Sequence, residues 1–89
     1  LSSSAAVCVL TARAFNRVHR LGLDVRGEME LAYEGERATG SRCGRMDQAC
    51  AYGSRVVELG FDGPRLEVRL LRVGAPLALL IVDLRHPKN

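Results

Sequence analysis

The stretch RVVELGFDGPRLEVRLL, residues 55–71, decides the fold class of this chain. Apolar residues alternate with polar or small ones on both sides of Asp62-Gly63-Pro64, which is the period of β-strands with one solvated face. Two such runs around a turn predict a β-hairpin. Farther along, the run Leu77–Val82 is continuously apolar, and it predicts a further, central strand covered on both faces.

Upstream of this stretch the apolar period is that of an α-helix. The first predicted helix is Ser2–Leu21, capped by its serines and ended by Gly22. Its predicted buried stripe follows spacings of three and four: Val7, Leu10, Ala14, Val18 and Leu21. A basic row on another face favours a solvated surface, with a docking surface as the alternative: Arg13, Arg17 and Arg20.

A second helix is predicted from its cap at Asp24 to about Ala38. Its predicted buried side consists of Val25, Met29, Ala32 and Tyr33, and its polar side of Glu28, Glu30 and Glu34. Residues Arg45–Ala51 have room for two further helical turns. The sequence therefore predicts an α+β class, with two to three helices followed by a β-hairpin and a further strand, in a single domain.

Composition limits the classes of function. The 89 residues are 47% hydrophobic and 26% charged, which is typical of a globular protein. Thirteen basic against ten acidic residues give a net charge of +3, spread along the chain, so we expect no nucleic-acid partner. The longest apolar run, Pro76–Val82, is far too short for a membrane span, so we expect no membrane association.

The cysteines and the first residues point to a compartment. Cys8, Cys43 and Cys50 are odd in number and lack CxxC spacing, which favours free thiols in a reducing cytoplasm over structural zinc. The chain opens on Leu1 without a basic n-region or an initiator Met. We therefore expect a cytoplasmic protein without a signal peptide, of which residues 1–89 are a part.

Two segments carry chemistry. In Leu1-Ser2-Ser3-Ser4-Ala5-Ala6-Val7 a helix begins among small and hydroxyl residues, which suits a phosphate group at the helix N-terminus, although a structural cap is the common use of such serines.

The second segment, residues 35–48, reads GERATGSRCGRMDQ. Its glycine-bounded loop can bring Glu36 and Asp47 to one site, where phosphoryl transfer needs one acid for a metal and one for the attacking hydroxyl. A capping role for Asp47 is the structural alternative.

In this order and spacing, the two segments resemble the GHMP kinases, the superfamily of galactokinase, homoserine kinase, mevalonate kinase and phosphomevalonate kinase. Cys43–Gln48 is similar to the Cys-Gly-Ile-Met-Asp-Gln motif of galactokinases, and Leu1–Ala5 is similar to their Leu-Ser-Ser-Ser-Ala. Gly35-Glu36-Arg37 is more similar to the mevalonate kinases. The resemblance covers Leu1 to about Gly53 and implies that residues 1–89 are part of an N-terminal domain of that family.

The resemblance implies a role for each matching residue. The phosphates of ATP would lie against Ser2, Ser3, Ser4 and Ala5, and Mg²⁺ would be bound by Ser4 and Glu36, with Glu34 as the alternative ligand. Asp47 would be the catalytic residue that orients or deprotonates the hydroxyl.

Substrate contacts are implied for Gly44, Arg45 and Asp47. Arg45 stands where galactokinases usually have Ile, and it would meet an acidic sugar such as a uronate or pair with Glu36.

The implied activity is transfer of the γ-phosphoryl group of ATP to a hydroxyl of a monosaccharide or a related small alcohol. Galactose, a uronic acid, arabinose, mevalonate and a heptose all remain open as acceptors. A catalytically silent relative that binds sugar and ATP as a regulator is the alternative from another class. We also expect the remainder of the kinase chain, or a second copy, to cover exposed strand edges.

Overall fold

Two packed helices and a β-hairpin make up the regular structure. The computed structural model describes residues 3–87. Its elements, in chain order, are α1 (Ser3–His19), α2 (Val25–Ala38), a 3₁₀ helix (Asp47–Tyr52), β1 (Val56–Asp62) and β2 (Arg65–Leu71). The predicted α+β class, with three helices followed by a hairpin, is confirmed.

The hairpin forms where the alternating pattern predicts it. Strands β1 and β2 pair antiparallel, from Val56 opposite Leu71 to Asp62 opposite Arg65. Gly63 adopts a φ of 58°, which a two-residue hairpin turn requires and which only glycine adopts at little cost. On the inner face Leu66 is buried in the core, and Leu59 and Val68 pack against the same core.

The prediction of a further strand at Leu77–Val82 is wrong, because the described residues after Leu71 form no strand. The side chains of Leu79 and Leu80 are 89% and 90% exposed. An apolar run indicates that a segment favours burial. A strand also needs a neighbouring backbone that hydrogen-bonds its N–H and C=O groups. Residues 3–87 place no such neighbour beside this segment.

The connection between the helices is capped at both ends. Arg20, with φ 52°, follows the last helical residue, and the Leu21 N–H donates to the Asn16 carbonyl at 3.1 Å. This is the Schellman ending, two residues earlier than the predicted stop at Gly22. The predicted cap of α2 is confirmed, because the Asp24 side chain accepts from the Gly27 N–H at 2.7 Å.

The buried face of α1 differs from the predicted one. The face of α1 that packs against the rest of the protein carries small residues. Its buried side chains are Ala5, Val9 and Ala12. The predicted stripe lies on the exposed face, with Leu10 and Val18 at 65% and 75% exposure. Small side chains let α2 approach closely, and its Met29 and Ala32 fill the contact.

A buried polar network joins α1 to α2. Glu28, predicted on the polar side of α2, is only 6% exposed and accepts from Arg13 Nε at 2.8 Å and Asn16 Nδ2 at 2.8 Å. Arg13 also donates to the carbonyl of Ala51 at 2.7 Å, so it ties the 3₁₀ helix to α1. The prediction that Arg13 belongs to a solvated surface is therefore wrong. Arg17, in contrast, is exposed as predicted.

This network predicts that acid destabilises the fold. The hydrogen bond from Asn16, together with the bond and charge of Arg13, lowers the pKa of Glu28 below its usual range, against the opposing effect of burial. A lowered folded-state pKa gives stability that is present above the unfolded value of about 4.3 and is lost as pH falls through the folded pKa. Urea unfolding should therefore show a free energy of unfolding that decreases below about pH 4.3.

The matched variants are Glu28→Gln and Glu58→Gln, because the Glu58 carboxylate lies on the exposed hairpin at 54% exposure. The first should be less stable at pH 7 by about 1–3 kcal/mol and show a flatter acid limb, while the second should behave as wild type. Equal acid limbs for Glu28→Gln and wild type would contradict the prediction.

No helix within residues 3–87 is long and apolar enough to cross a membrane.

Candidate functional site

A buried carboxylate lies in the last turn of α2. Glu36 is 6% exposed, and its Oε2 atom accepts a hydrogen bond from Nε2 of Gln48 at 3.0 Å. Its other oxygen, Oε1, is buried and has no hydrogen-bond partner among residues 3–87. A buried carboxylate oxygen without a partner costs free energy, so the site is suited to a ligand that supplies one.

Two further polar side chains lie near this carboxylate and affect its pKa. The Cys43 thiol has the largest effect in lowering the pKa of Glu36, followed by the Ser4 hydroxyl, while burial opposes them and the Gln48 amide adds to them. In return, the carboxylate of Glu36, with burial, raises the pKa of the Cys43 thiol. Glu36 is therefore held ionised at neutral pH and Cys43 protonated.

The contact between Ser4 and Glu36 follows from the antiparallel packing of the helices. Because Asn16 near the end of α1 meets Glu28 near the start of α2, the beginning of α1 meets the end of α2. Ser3 and Ser4 are exposed in the first turn, Ala5 is buried, and the first turn carries no acidic residue. Ser2, also predicted to contact phosphate, lies outside the described residues.

The beginning of α1 thus has the features of an anion site next to an acid. Its unpaired N–H groups carry a partial positive charge, and exposed hydroxyls lie among them. A second observation marks the place, since Glu36, whose pKa the Ser4 hydroxyl helps to lower, has a buried oxygen, Oε1, without a partner among residues 3–87. Phosphate oxygens and a hard cation could be bound here together.

The donor set suits a cation that also takes ligands from elsewhere. Within residues 3–87, no group of three or more His, Cys, Asp or Glu side chains is arranged to hold a metal. Ser4 and Glu36 offer one hydroxyl and one free carboxylate oxygen, which are oxygen ligands of the kind Mg²⁺ prefers. Mg²⁺ typically uses one or two protein ligands and completes its shell with water and substrate phosphates, so these residues fit it.

Asp47 and Gln48 face different surroundings at the start of the 3₁₀ helix. Asp47 is exposed, whereas the side chain of Gln48 is fully buried against Glu36. Burial first, and then the charge of Asp47, raise the pKa of the nearby Cys50 thiol. A side chain added at Gly44 would meet nothing within 4 Å, so the loop before Asp47 leaves open space for a ligand.

Arg45 is bound by residues other than Glu36. Its Nη2 atom lies 2.7 Å from Glu30 Oε1, and its Nη1 atom donates to the Pro64 carbonyl at 2.7 Å. The guanidinium also lies over the ring of Tyr33, 5.4 Å from its centroid. The suggested pairing with Glu36 is therefore not present, and Arg45 instead joins the loop before Asp47 to α2 and to the hairpin turn.

The structure brings two of the predicted site residues, Ser4 and Glu36, near each other and adds two residues beside Glu36. The Ser4 hydroxyl lies near enough to Glu36 to lower its pKa, and Asp47 directly precedes Gln48, which hydrogen-bonds to Glu36. The alternative ligand Glu34 is exposed on α2. The added residues are Cys43 and Gln48, which both contact Glu36. A signal for Gln48 was present, since it lies three residues before the apolar Ala51 and so on the inward face of a helical turn.

Comparison with known proteins gives one match. A family model described as "GHMP kinases N terminal domain" matches residues 1–54, a range that includes Ser4, Glu36, Asp47 and Gln48. No curated protein and no solved structure matches the chain significantly.

Proposed function

Because the chain belongs to the GHMP kinases, a family of small-molecule kinases that bind ATP, we propose that it is part of an ATP-dependent sugar kinase. The reaction is transfer of the γ-phosphoryl group to a hydroxyl of a monosaccharide, in the manner of galactokinase. The observation that carries the proposal is the meeting of Ser4 with the buried Glu36, whose Oε1 atom has no partner among the described residues.

The beginning of α1 binds the phosphates of ATP. Backbone N–H groups and hydroxyls from Ser2 to Ala5 donate to phosphate oxygens, and the helix dipole favours their negative charge. Residues 3–87 contain no lysine, because Lys88 is the single lysine of the sequence. Within residues 3–87, the proposed phosphate contacts are therefore backbone donors, hydroxyls and a bound cation.

Ser4 and Glu36 hold Mg²⁺. When bound, the ion neutralises negative charge on the phosphoryl group in transfer. The lowered pKa of Glu36 keeps this carboxylate ionised at neutral pH, so it is ready to bind a cation without first releasing a proton.

Asp47 acts on the acceptor. Its exposed carboxylate accepts the hydrogen bond of the sugar hydroxyl and takes its proton as the hydroxyl oxygen bonds to the γ-phosphorus. The bond between that phosphorus and the β,γ-bridging oxygen breaks, and ADP leaves. Open space at Gly44 lets the sugar approach the backbone of the loop.

Arg45 bears on which sugar is accepted. Its proposed place in the substrate site is compatible with a uronic acid, because a guanidinium binds a carboxylate well. Its charge is already paired with Glu30, however, at 23% side-chain exposure. A neutral sugar such as galactose or arabinose therefore requires less rearrangement than a uronate.

A mevalonate-kinase-like activity is the second candidate. It is favoured by Gly35-Glu36-Arg37, in which the cation-binding Glu36 stands in the sequence context of that group. A regulator that binds sugar and ATP without turnover is the third outcome that the same residues permit.

The exposed apolar side of α1 supports a covering partner. Val7, Leu10 and Val18 are each more than half exposed, and a separate apolar groove, lined by Phe15 of α1 and Leu31 of α2, lies between the two helices. We propose that the remainder of the kinase chain, or a second copy, covers these side chains, in a cytoplasmic protein without a nucleic-acid or membrane partner.

The test is a coupled assay of ADP release with the full-length protein, ATP and Mg²⁺. The acceptors are galactose, galacturonate, glucuronate, arabinose, a heptose and mevalonate. Turnover with a monosaccharide is the expected result, and turnover with mevalonate alone would favour the second candidate. Binding of sugar and ATP without any turnover would contradict a kinase.

A further inference from the structure

The hydrogen bond between Gln48 and Glu36 joins two buried polar side chains at the centre of the site. Gln48 is 0% exposed, and its Nε2 atom lies 3.0 Å from Glu36 Oε2. Gln48 Oε1, like Glu36 Oε1, is buried without a partner among residues 3–87. An apolar side chain of similar volume would fill the same space without this cost, so packing alone does not account for an amide here.

The orientation of the amide is determined by its neighbour. A carboxylate only accepts hydrogen bonds, so the atom of Gln48 that faces Glu36 must be the donor, Nε2. The same nitrogen lies 3.9 Å from the Cys43 sulfur, which makes the carboxylate its closer partner. Gln48 therefore occupies one oxygen of Glu36 and leaves the other one free.

We propose that Gln48 is a positioning residue, which holds the carboxylate of Glu36 so that Oε1 is presented to a divalent cation. This inference rests on the proposed function, because it takes Glu36 as a cation ligand. The terminal torsion of a glutamate is broad, and one fixed oxygen removes most of that freedom. Partners of this kind behind a metal ligand orient it, and their loss weakens metal binding.

The position of Gln48 in the chain gives it a second connection. It directly follows the exposed Asp47 at the start of the 3₁₀ helix, so one short segment both orients the cation ligand and carries the proposed catalytic base. The hydrogen bond between Gln48 and Glu36 therefore helps to set the distance between the bound cation and the acceptor hydroxyl. Losing it affects cation binding first.

The first test measures Mn²⁺ binding to the full-length protein by electron paramagnetic resonance, with Mn²⁺ as the probe for Mg²⁺. Gln48→Met keeps the length of the side chain and removes the donor, and we expect the dissociation constant of Mn²⁺ to rise by about tenfold or more. The matched control is Ala51→Gly, which loosens the same 3₁₀ helix at a buried position without contact to Glu36. It should bind Mn²⁺ as wild type does.

A second measurement needs no variant and decides the matter if Gln48→Met fails to fold. Mn²⁺ broadens nuclear magnetic resonance signals of groups close to it, so the side-chain amide of Gln48 should broaden at the lowest Mn²⁺ concentrations. The side-chain amide of Asn16 is the internal control, because it also donates to a buried carboxylate, that of Glu28. Equal broadening of the two amides would overturn the proposal.

Glu36→Gln separates this inference from the proposed function. If Glu36→Gln loses Mn²⁺ binding while Gln48→Met retains it, the cation site stands and the positioning role of Gln48 is overturned. If wild type and Glu36→Gln bind Mn²⁺ alike, both the cation site and the role of Gln48 are overturned. Weakened binding in both variants, with Ala51→Gly unchanged, supports the role.

Discussion

Replacing Asp47 by Asn is expected to lower kcat of the full-length kinase by about 10²–10⁴-fold, the range typical for loss of a general base. Asn keeps the size of the side chain and its ability to hydrogen-bond the acceptor hydroxyl, but it cannot take the proton. The loss should therefore fall on kcat, with a small change in KM for the sugar, as measured by initial rates at saturating ATP.

The position of Asp47 in the structure makes this variant a clean test. Its side chain is exposed at the start of the 3₁₀ helix, so the substitution buries no new polar group and should leave the fold intact. The matched control is Asp62→Asn, an exposed Asp at the end of β1. It makes the same chemical change outside the proposed site and should leave kcat unchanged.

Retention of wild-type kcat by Asp47→Asn would contradict a catalytic role for this residue. It would leave the proposed cation site unaffected, because that site depends on Ser4 and Glu36. A large rise in KM with unchanged kcat would indicate that Asp47 binds the sugar without acting on its proton.

Local signals in the sequence were sufficient for the cap of α2 and for the turn of the hairpin. The cap at Asp24 and the turn at Gly63 depend on neighbours within a few residues, and both were predicted correctly. The buried face of α1 was not predicted correctly, because apolar periodicity identifies the most hydrophobic side of a helix. The side that packs on α2 is instead the one with small residues, such as Ala5 and Ala12.

Long-range partners could not be predicted from periodicity. Glu28 has the pattern of a surface residue of α2, yet it is buried because Arg13 and Asn16 of α1 meet it there. Its burial depends on residues twelve and fifteen positions away, which a local pattern does not contain. The strand predicted at Leu77–Val82 failed for the same reason, since its pairing depended on a distant backbone.

Some residues of the candidate site could be predicted from the sequence, and one could not. Motif spacing singled out Ser4, Glu36 and Asp47, and the structure puts Ser4 beside Glu36, while the roles of all three stay predictions. Gln48 was part of the same motif, but no role was predicted for it. The structure singles it out because its side chain is fully buried and donates a hydrogen bond to Glu36.

Replacing Glu36 by Gln is expected to lower kcat/KM for ATP by about 10²-fold, as the loss of a charged contact to a cation at the transferring phosphoryl group requires. The Mg²⁺ concentration that gives half-maximal rate should rise at least about tenfold. The measurement is the initial rate as a function of total Mg²⁺ at fixed ATP, with the full-length protein.

The matched control is Glu34→Gln. Glu34 lies two residues away on the same helix, is exposed, and is the alternative cation ligand that the sequence left open. If Glu36 is the ligand, Glu34→Gln should retain the wild-type Mg²⁺ dependence. The reverse pattern, with Glu34→Gln impaired and Glu36→Gln normal, would transfer the role to Glu34 and contradict the site proposed above.

Stability separates a lost ligand from a damaged fold. Gln at position 36 still offers an oxygen to the amide of Gln48, so one neutral hydrogen bond replaces one charged bond at that contact. We expect the free energy of unfolding to fall by about 1 kcal/mol, the difference between charged and neutral hydrogen bonds. A 10²-fold loss of rate corresponds to about 2.7 kcal/mol of transition-state stabilisation. Because the second quantity exceeds the first, the variant should remain folded and fail in catalysis, and a loss of folding equal to the loss of rate would assign Glu36 a structural role instead.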